Sequence, residues 1–394
     1  MNRQGRLILM TFTEAFSTTL VGRGVFFYTV WALEFSDAAN LWLAALYGAT
    51  YVAAALVSHF PAKVLSEKAV MVLTALVQLI CHLVLAWRFE PVILFVAFSV
   101  LGAMSGFRWP VVESYISAGQ TPKETSRILG RFNLSWAIGV PLGLAVTGPI
   151  RALLGTHVFF VPALVNFTSL VLTIPLPTRP SHLPHDHPER PGRLEITKLS
   201  ALLTSSRWLL LTSYAAAWAL SALMPTIFDA MGYKQAAPAL AAILDVVRLL
   251  TFILLIYWPG WHGRASVLVL SILAMPTGFF MVLFAGGLTA AVLGQVMFGL
   301  SCGIVYYAAI YYAMVVSNAS VNAGGKHEGL IGLGFVIGPG AGLVGIAMAG
   351  VLGSRTGGML LGIGPLFAVA TVAAILALRP LAIRDTPDLG GEQT

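Results

Sequence analysis

The sequence predicts an all-α membrane protein with twelve transmembrane helices. Of the 394 residues, 58% are hydrophobic and only 10% are charged, whereas a soluble domain carries roughly 25% charged residues. The mean hydropathy is +0.85. Apolar stretches of ~20 residues, the length that crosses a bilayer, recur along the whole chain. This composition leaves too few charges for the surface of a water-soluble helical protein.

The apolar stretches give twelve expected spans. They lie near residues 7–33, 40–60, 69–87, 91–118, 128–150, 157–176, 207–230, 237–257, 265–285, 288–316, 329–352 and 357–378. A strand barrel is excluded because the runs are too long and do not alternate. The first stretch is not a cleavable signal peptide, because it continues for a full span that contains Glu14 and Arg23. Cys81 and Cys302 lie inside apolar spans and indicate no disulfide framework.

The distribution of basic residues predicts the orientation. With the N-terminus placed in the cytoplasm, sixteen of the 23 lysines and arginines lie in cytoplasmic segments and four on the opposite side. The remaining three lie within spans. Both termini are therefore expected in the cytoplasm, and the net charge of +7 reflects topology rather than nucleic-acid binding. We expect a multi-pass protein of the bacterial inner (plasma) membrane.

The longest polar segment divides the spans into two sets of six. Residues 177–206 are rich in proline and charge, which indicates a cytoplasmic linker whose C-terminal part could form a short amphipathic helix. The expected domains are a six-helix bundle at 1–176, the linker at 177–206, and a second six-helix bundle with a short tail at 207–394. His182, His185 and His187 fit a solvated loop better than a metal site. No metal or cofactor is expected.

The two halves contain an internal repeat. The stretch "GAMSGFRWPVVESYISA" from Gly102 aligns with "GLSCGIVYYAAIYYAMV" from Gly299, and both begin with GxxxG. Further along, "LGRFNLSWAIGVPLG" aligns with "EGLIGLGFVIGPGAG", so that Gly139 corresponds to Gly338. A parallel repeat of six helices about an axis along the membrane normal is a transporter architecture. Chance similarity between glycine-rich helices is the alternative.

With these features the chain resembles the major facilitator superfamily over nearly its whole length. "WPVVESYISAGQTPKETSRILGRFNLSW" resembles the superfamily's fourth span, its basic loop and the start of its fifth, and "GVPLGLAVTGPI" resembles the Gly-Pro pattern of that fifth span. The resemblance implies two pseudo-symmetric bundles of six helices. The loop "SHFPAKVLSEK" departs from the family's usual loop motif, because Ala62 stands where an acid is usual and Leu65 where a glycine is usual. The subfamily stays open.

Charged residues inside spans are the candidate functional residues, because a charge in a bilayer is costly and usually faces a cavity or a partner. The helical period of ~100° per residue places Asp245 and Arg248 on one face of their span. Arg108 and Glu113 diverge by ~140° and are not expected to pair. Each of these two residues therefore needs a partner from another helix.

The resemblance implies that spans one, four, seven and ten line a central cavity. Arg23 and Arg108 are then the expected substrate contacts, since an arginine fork suits a carboxylate or a phosphate. Aromatic residues on spans seven and ten complete the expected binding set, although packing explains such stripes equally well. They are Tyr214, Trp218, Tyr307 and Tyr311.

Four residues are expected in proton coupling or gating. Glu14 and Glu113 are candidate proton carriers, because burial favours the neutral form of an acid. Glu113 lies near the cytoplasmic end of its span and equally suits a gate. Asp245 and Arg248 could form a structural ion pair instead.

The leading function is secondary active transport of a small organic solute, anionic or zwitterionic, by alternating access and coupled to protons. One alternative is a broad-specificity drug/proton antiporter, and another is a transporter-like sensor or assembly protein without flux. An enzyme is not expected, because no phosphate-binding loop, HExxH motif or nucleophile–base pair is present. The expected partners are the small-molecule substrate, protons and the lipid bilayer, with no nucleic acid, and the protein is expected to be a monomer.

Overall fold

The computed structural model describes residues 3–119, 122–180, 193–316 and 321–384, which form fifteen α-helices. The helices of the first half are α1 Arg3–Gly22, α2 Val25–Ala32, α3 Asp37–Val57, α4 His59–Leu65, α5 Glu67–Trp87, α6 Pro91–Ser117, α7 Pro122–Leu154 and α8 Phe160–Thr173. Those of the second half are α9 Arg193–Ala230, α10 Ala237–Ala241, α11 Ile243–Tyr257, α12 Ser266–Leu283, α13 Leu288–Val316, α14 Val321–Leu352 and α15 Arg355–Arg384.

The predicted all-α membrane fold is confirmed. Ten segments within the described ranges are long and apolar enough to cross a membrane. The two other predicted spans are α1 together with α2, and the shorter helix α8. Helix α9 begins at Arg193, inside the segment predicted as a linker, and runs without interruption to Ala230. His182, His185 and His187 lie outside the described residues.

Local sequence sets several helix ends. Ser36 accepts a hydrogen bond from the backbone N–H of Ala39 and caps α3, which carries Asp37 in its first turn. Ser66 caps α5 in the same way, through the N–H of Ala69. These caps satisfy N–H groups that a helix start leaves without partners.

The first span is divided at Arg23. Both Arg23 and Gly24 donate their backbone N–H to the carbonyl of Thr19, so the regular helical ladder is interrupted there. A side chain at Gly24 would lie against the carbonyl oxygen of Leu20 and 3.0 Å from Thr147 Oγ1. Glycine therefore permits the break, which directs Arg23 away from the path of a straight helix.

The internal repeat is visible in how the two halves pack. Side chains at Gly102 and Gly299 would each lie 2.5 Å from a carbonyl oxygen, that of Tyr47 in α3 and that of Leu244 in α11. Helix α6 thus packs on α3 as α13 packs on α11. The second glycine pair behaves in the same way, since Gly139 packs on α1 and Gly338 on α9. Small residues allow this close helix approach in membranes.

The two halves meet along α3 and α14 and along α7 and α11. Hereafter, the inner end is the end of the helices predicted to be cytoplasmic, and the outer end is the opposite one. Helices α3 and α14 touch from Leu41 against Gly342 near the outer end to Leu56 against Gly329 near the inner end. Helix α7 packs on α11 through Gly130 against Ile256 and Trp136 against Phe252. The bundles are therefore closed against each other at both ends.

Candidate functional site

A central cavity lies between the two halves and is lined by both. Its volume is about 140 Å³. Half of its lining residues are aromatic, namely Tyr47, Tyr51, Trp109, Trp136, Tyr214, Trp218, Tyr306 and Phe335. Two of the described lining residues carry a charge, Arg23 from the first half and Glu328 from the second. The cavity therefore combines a wall rich in aromatic side chains with one cationic and one anionic residue.

Arg23 connects the two halves through an ion-paired chain. Its guanidinium forms an ion pair with Asp245 of α11 and donates from Nε to Ser221 Oγ of α9 at 3.1 Å. Asp245 also accepts from Arg248 at 2.5 Å, and Arg248 stacks over the ring of Trp136 at 4.6 Å. Two guanidinium groups thus share one carboxylate, which leaves the group with a net positive charge beside the cavity.

Arg108 lies inside the first half and not on the cavity wall. It is fully buried, and its Nε lies 3.2 Å from Glu14 Oε2 in an ion pair. It also donates to Met71 O at 2.6 Å and to Ser169 Oγ at 2.8 Å. The sequence predicted that Arg108 needs a partner from another helix and expected a contact with substrate; in the structure the partner is the carboxylate of Glu14 on α1.

Helix rotation decides which predicted aromatic residues reach the cavity. Tyr214 and Trp218 line it, whereas Tyr307 and Tyr311 do not and instead pack around the ring of Trp261. Tyr306, one residue before Tyr307, takes the cavity position. Consecutive residues differ by ~100° around a helix, so Tyr306 points to the cavity while its neighbour Tyr307 points away from it.

The internal repeat contained a signal for these cavity residues. The two alignments pair Trp109 with Tyr306 and Trp136 with Phe335, and all four line the cavity. Positions related by a symmetry axis through the cavity face it together. Ring-bearing residues matched across the repeat were therefore a better guide than an aromatic stripe on one span.

Glu113 lies at the inner end of the interface, beside two residues that sequence reasoning missed. His327 and Glu328 of α14 are buried, and each of the three side chains offers a ligand atom within 4.8 Å of the others. Glu328 also accepts a hydrogen bond from the hydroxyl of Tyr51 on α3. The sequence placed both residues in a loop because the apolar run begins at Gly329. They are buried by neighbouring helices and not by membrane.

The outer end is closed by a second contact that the sequence did not reveal. Asp37, in the first turn of α3, accepts from Arg355 of α15 at 2.8 Å and from the hydroxyl of Thr226 of α9 at 2.7 Å. These bonds join the first half to the second. Asp37 is the first residue of α3 and Arg355 is the first residue of α15. The two are far apart in the sequence, so only the folded structure brings them together.

Comparisons with known proteins agree with this architecture. A sequence model of the Major Facilitator Superfamily matches residues 7–339. The crystal structure of the nucleoside transporter NupG has a TM-score of 0.65 at 16% identity, covering 96% of this chain and 100% of that one. A point mutant of NupG has a TM-score of 0.69 at 14% identity, covering 95% and 100%.

A third solved structure is a bacterial homologue of the human lysosomal transporter Spinster, inward-facing and unoccupied. It has a TM-score of 0.66 at 15% identity and covers 95% of each chain. A search among curated proteins finds no match. At these identities the solved structures establish the fold alone, whereas the sequence model covers most of the chain. The chain is a multi-pass membrane protein that belongs to the major facilitator superfamily.

Proposed function

We propose that the protein is a secondary active transporter that moves a small organic solute by alternating access through the central cavity. The observation that carries this proposal is the cavity itself, lined by both halves and closed at both ends by contacts between them. Rocking of one bundle against the other would expose such a cavity to one side at a time. The cavity is complete within one chain, which supports a functional monomer.

The wall chemistry favours a zwitterionic or anionic solute with a ring or another flat apolar part. Arg23 lies at the end of α1 toward the outer end, and Glu328 lies in the second turn of α14 near the inner end. A zwitterion could place its anionic group at Arg23 and its cationic group toward Glu328. The aromatic wall between them would stack on the apolar part.

Two other substrate classes fit less well. The cavity volume of about 140 Å³ is below the ~300–1,000 Å³ of pockets for drug-sized ligands, and Arg23 would repel a lipophilic cation. Both features weigh against broad drug efflux. The solved neighbours include a nucleoside transporter, but a nucleoside is neutral and would leave the excess positive charge around Arg23 without an anionic partner.

We assign the coupling proton to Glu14. Its Oε1 is buried and has no hydrogen-bond partner in the described part of the chain, and the next residue, Ala15, lines the cavity. Arg108 has neutral acceptors besides Glu14, at Met71 O and Ser169 Oγ and, at 3.5 Å, Thr74 Oγ1. Protonation of Glu14 would therefore leave Arg108 with hydrogen bonds, which limits the cost of neutralising the acid.

The transport proposal is tested by flux into proteoliposomes. The panel contains aromatic and aliphatic zwitterions, organic anions, nucleosides and lipophilic cations, each with and without a pH gradient. We expect uptake of a zwitterion or an anion and no uptake of lipophilic cations. Failure of every solute to cross, with correctly inserted protein, would contradict transport.

The substrate contact is tested by Arg23→Lys, which keeps the charge and loses the planar fork. We expect substrate affinity to fall by ~1–3 kcal/mol, the scale of a charged hydrogen bond. Arg88→Lys, at an exposed position, is the matched control and should bind like the parent. Unchanged affinity in a well-folded Arg23→Lys protein would remove Arg23 from the binding site.

The proton assignment is tested by Glu14→Gln. This variant should lose accumulation driven by a pH gradient and keep exchange of substrate for substrate. Glu90→Gln, at an exposed acid, serves as the control. If Glu14→Gln still accumulates substrate against its gradient, Glu14 does not carry the proton.

A further inference from the structure

Three buried side chains meet at the inner end of the interface between the bundles. Glu113 comes from α6 in the first half, and His327 and Glu328 come from α14 in the second. Each offers a ligand atom, and these atoms lie within 4.8 Å of one another. The transport proposal assigns no role to Glu113 or His327, so the convergence of these buried side chains needs a separate explanation.

Two of the three side chains in this cluster receive no hydrogen bond from an ordinary donor in the described part of the chain. Among the described residues, neither ring nitrogen of His327 has a hydrogen-bond partner, and no N–H or O–H donor reaches either carboxylate oxygen of Glu113, which lies within hydrogen-bond reach of the Glu328 carboxyl group. His327 and Glu113 are both 0% exposed. Buried polar atoms are rarely left unsatisfied, because an unmade hydrogen bond costs free energy. Their convergence on one point indicates a ligand that accepts electron pairs from nitrogen and oxygen.

The charges around the cluster favour a cation as that ligand. Glu113 and Glu328 bring two carboxyl groups together away from water. Three groups face the cluster: the hydroxyl of Tyr51 from α3 donates to Glu328, the ring of Tyr306 from α13 lies beside His327, and Arg207 from α9 acts electrostatically on His327. Arg207 balances at most one of the two carboxylates, so a negative charge remains that a bound cation would offset.

We propose that Glu113, His327 and Glu328 form a binding site for a divalent transition-metal ion, with Zn²⁺ as the reference ion. One imidazole nitrogen and two carboxylate oxygens are ligands that Zn²⁺ accepts, and a fourth position stays open for water. The hydroxyl of Tyr51 donates to Glu328 and orients that carboxylate, as groups behind metal ligands commonly do. Glu328 lines the central cavity, so the ion would reach the site through the cavity when alternating access opens it to one side.

Metal binding would require only a small movement of the three side chains toward one another. In a tetrahedral site with bonds of ~2.0–2.1 Å, ligand atoms lie about 3.4 Å apart. The present limit of 4.8 Å therefore requires the side chains to close in by about 1.4 Å at most. Changes in side-chain torsions provide such movement without a shift of the helices.

A metal at this position would hold the inner end closed. Its ligands come from both bundles, and alternating access requires the inner ends to separate. The ion would therefore act as a clamp that stabilises the arrangement seen here and opposes opening toward the inner side. Inhibition of transport by micromolar metal would then have two sources, the clamp at the inner end and the loss of Glu328 as a contact for the solute.

Metal binding is tested on the purified full chain without an affinity tag, in a background in which Cys81 and Cys302 are alanine. Competition with a chromophoric Zn²⁺ chelator measures affinity and stoichiometry, and the melting temperature is followed with ZnCl₂, with MgCl₂ and after EDTA. We expect one Zn²⁺ per chain, a rise in melting temperature with Zn²⁺ only, and reversal by EDTA.

Matched variants separate the cluster from other donors. Glu113→Gln and His327→Gln should each weaken Zn²⁺ binding by about tenfold or more. Glu90→Gln and His59→Gln should bind like the parent. Replacing the three loop histidines at 182, 185 and 187 with alanine should also leave this binding unchanged, which excludes the loop as the site.

The clamp is tested by the distance between spin labels at Val64 and Arg379, exposed positions near the inner ends of the two halves. Zn²⁺ should narrow the distance distribution of the parent protein. In His327→Gln, adding Zn²⁺ should leave the distribution unchanged. Because each protein is compared with itself, with and without Zn²⁺, a difference in stability between the variants does not affect the result. Zn²⁺ binding that survives His327→Gln, binding that depends on the loop histidines, or a distribution that Zn²⁺ leaves unchanged would each overturn the proposal. None of these readouts requires the transported solute, so failure of the transport proposal would remain distinguishable.

Discussion

Replacing Arg108 and replacing Glu14 should destabilise the protein to different extents. The two side chains form a buried ion pair, with relative exposures of 0% for Arg108 and 1% for Glu14. Their other contacts are unequal, however. Arg108 also donates to Met71 O and Ser169 Oγ, whereas the Glu14 carboxylate accepts one further hydrogen bond among the described residues, from Ser169 Oγ.

The expected magnitudes follow from what each substitution leaves behind. Arg108→Met leaves the Glu14 carboxylate buried without a cation, and breaking a buried pair in this way costs about 3–5 kcal/mol. Glu14→Gln keeps an acceptor oxygen for Arg108 and Ser169 and loses one charged interaction, which costs about 1.5–3 kcal/mol. Arg108→Lys should lie near the lower figure, since one ammonium group cannot reach all of the partners that the guanidinium contacts.

The assay is the free energy of unfolding in mixed detergent micelles, followed by circular dichroism as the fraction of denaturing detergent rises. The double variant Glu14→Gln with Arg108→Met completes a double-mutant cycle. Because the pair is removed together, the double variant should be more stable than the sum of the single losses predicts. Substrate affinity, measured on the folded variants, should stay at the parent value for Arg108→Lys.

Two results would refute this reasoning. An equal loss of stability in Glu14→Gln and Arg108→Met would mean that the neutral acceptors do not support Arg108. A normal stability combined with weaker substrate binding in Arg108→Lys would mean that Arg108 contacts the solute, as the resemblance to the superfamily implied, and that its contact with Glu14 opens during transport.

Three further predictions concern packing, the outer gate and the orientation. Gly338→Ala should destabilise the protein by ~1–3 kcal/mol, because the added methyl group would overlap the backbone of α9; Gly340→Ala, with open space around it, is the control, and equal stability of the two would contradict the packing account. Asp37→Asn should weaken the contact with Arg355 and speed hydrogen exchange at the outer ends of α3 and α15, and unchanged exchange would exclude this contact as a gate. A thiol label at Ser181→Cys, a position outside the described residues, should react only from the cytoplasmic side, and labelling from outside would reverse the predicted orientation.

The sequence by itself determined the fold class and the pairing of equivalent helices. Apolar runs long enough to span a bilayer identify helices, because a backbone in lipid must satisfy its own hydrogen bonds. The glycine pairs such as Gly102 and Gly299 then identify equivalent helices, since only glycine admits the neighbouring backbone at that distance. These features are local in the chain, so they can be read without knowing which helices are neighbours.

Only the tertiary structure decided which side chains meet. Arg23 and Asp245 are 222 residues apart, and no spacing rule connects them. Tyr306 and Tyr307 are adjacent in sequence, yet the rotation of α13 sends one to the cavity and the other to Trp261. The helical period gives only the angles between residues of the same helix. Packing against neighbouring helices sets the rotation of the helix as a whole.

The burial of the inner-end cluster of Glu113, His327 and Glu328 could not be predicted from the sequence either. His327 and Glu328 precede the apolar run of their span, so composition placed them in solvent. The structure buries them because α14 continues toward the inner end and packs against α3 and α6 there. Hydropathy reports what a segment exposes to lipid, whereas burial between helices depends on partners from distant parts of the chain. For this reason the fold could be predicted from the sequence, and the charged groups that meet across the interface could not.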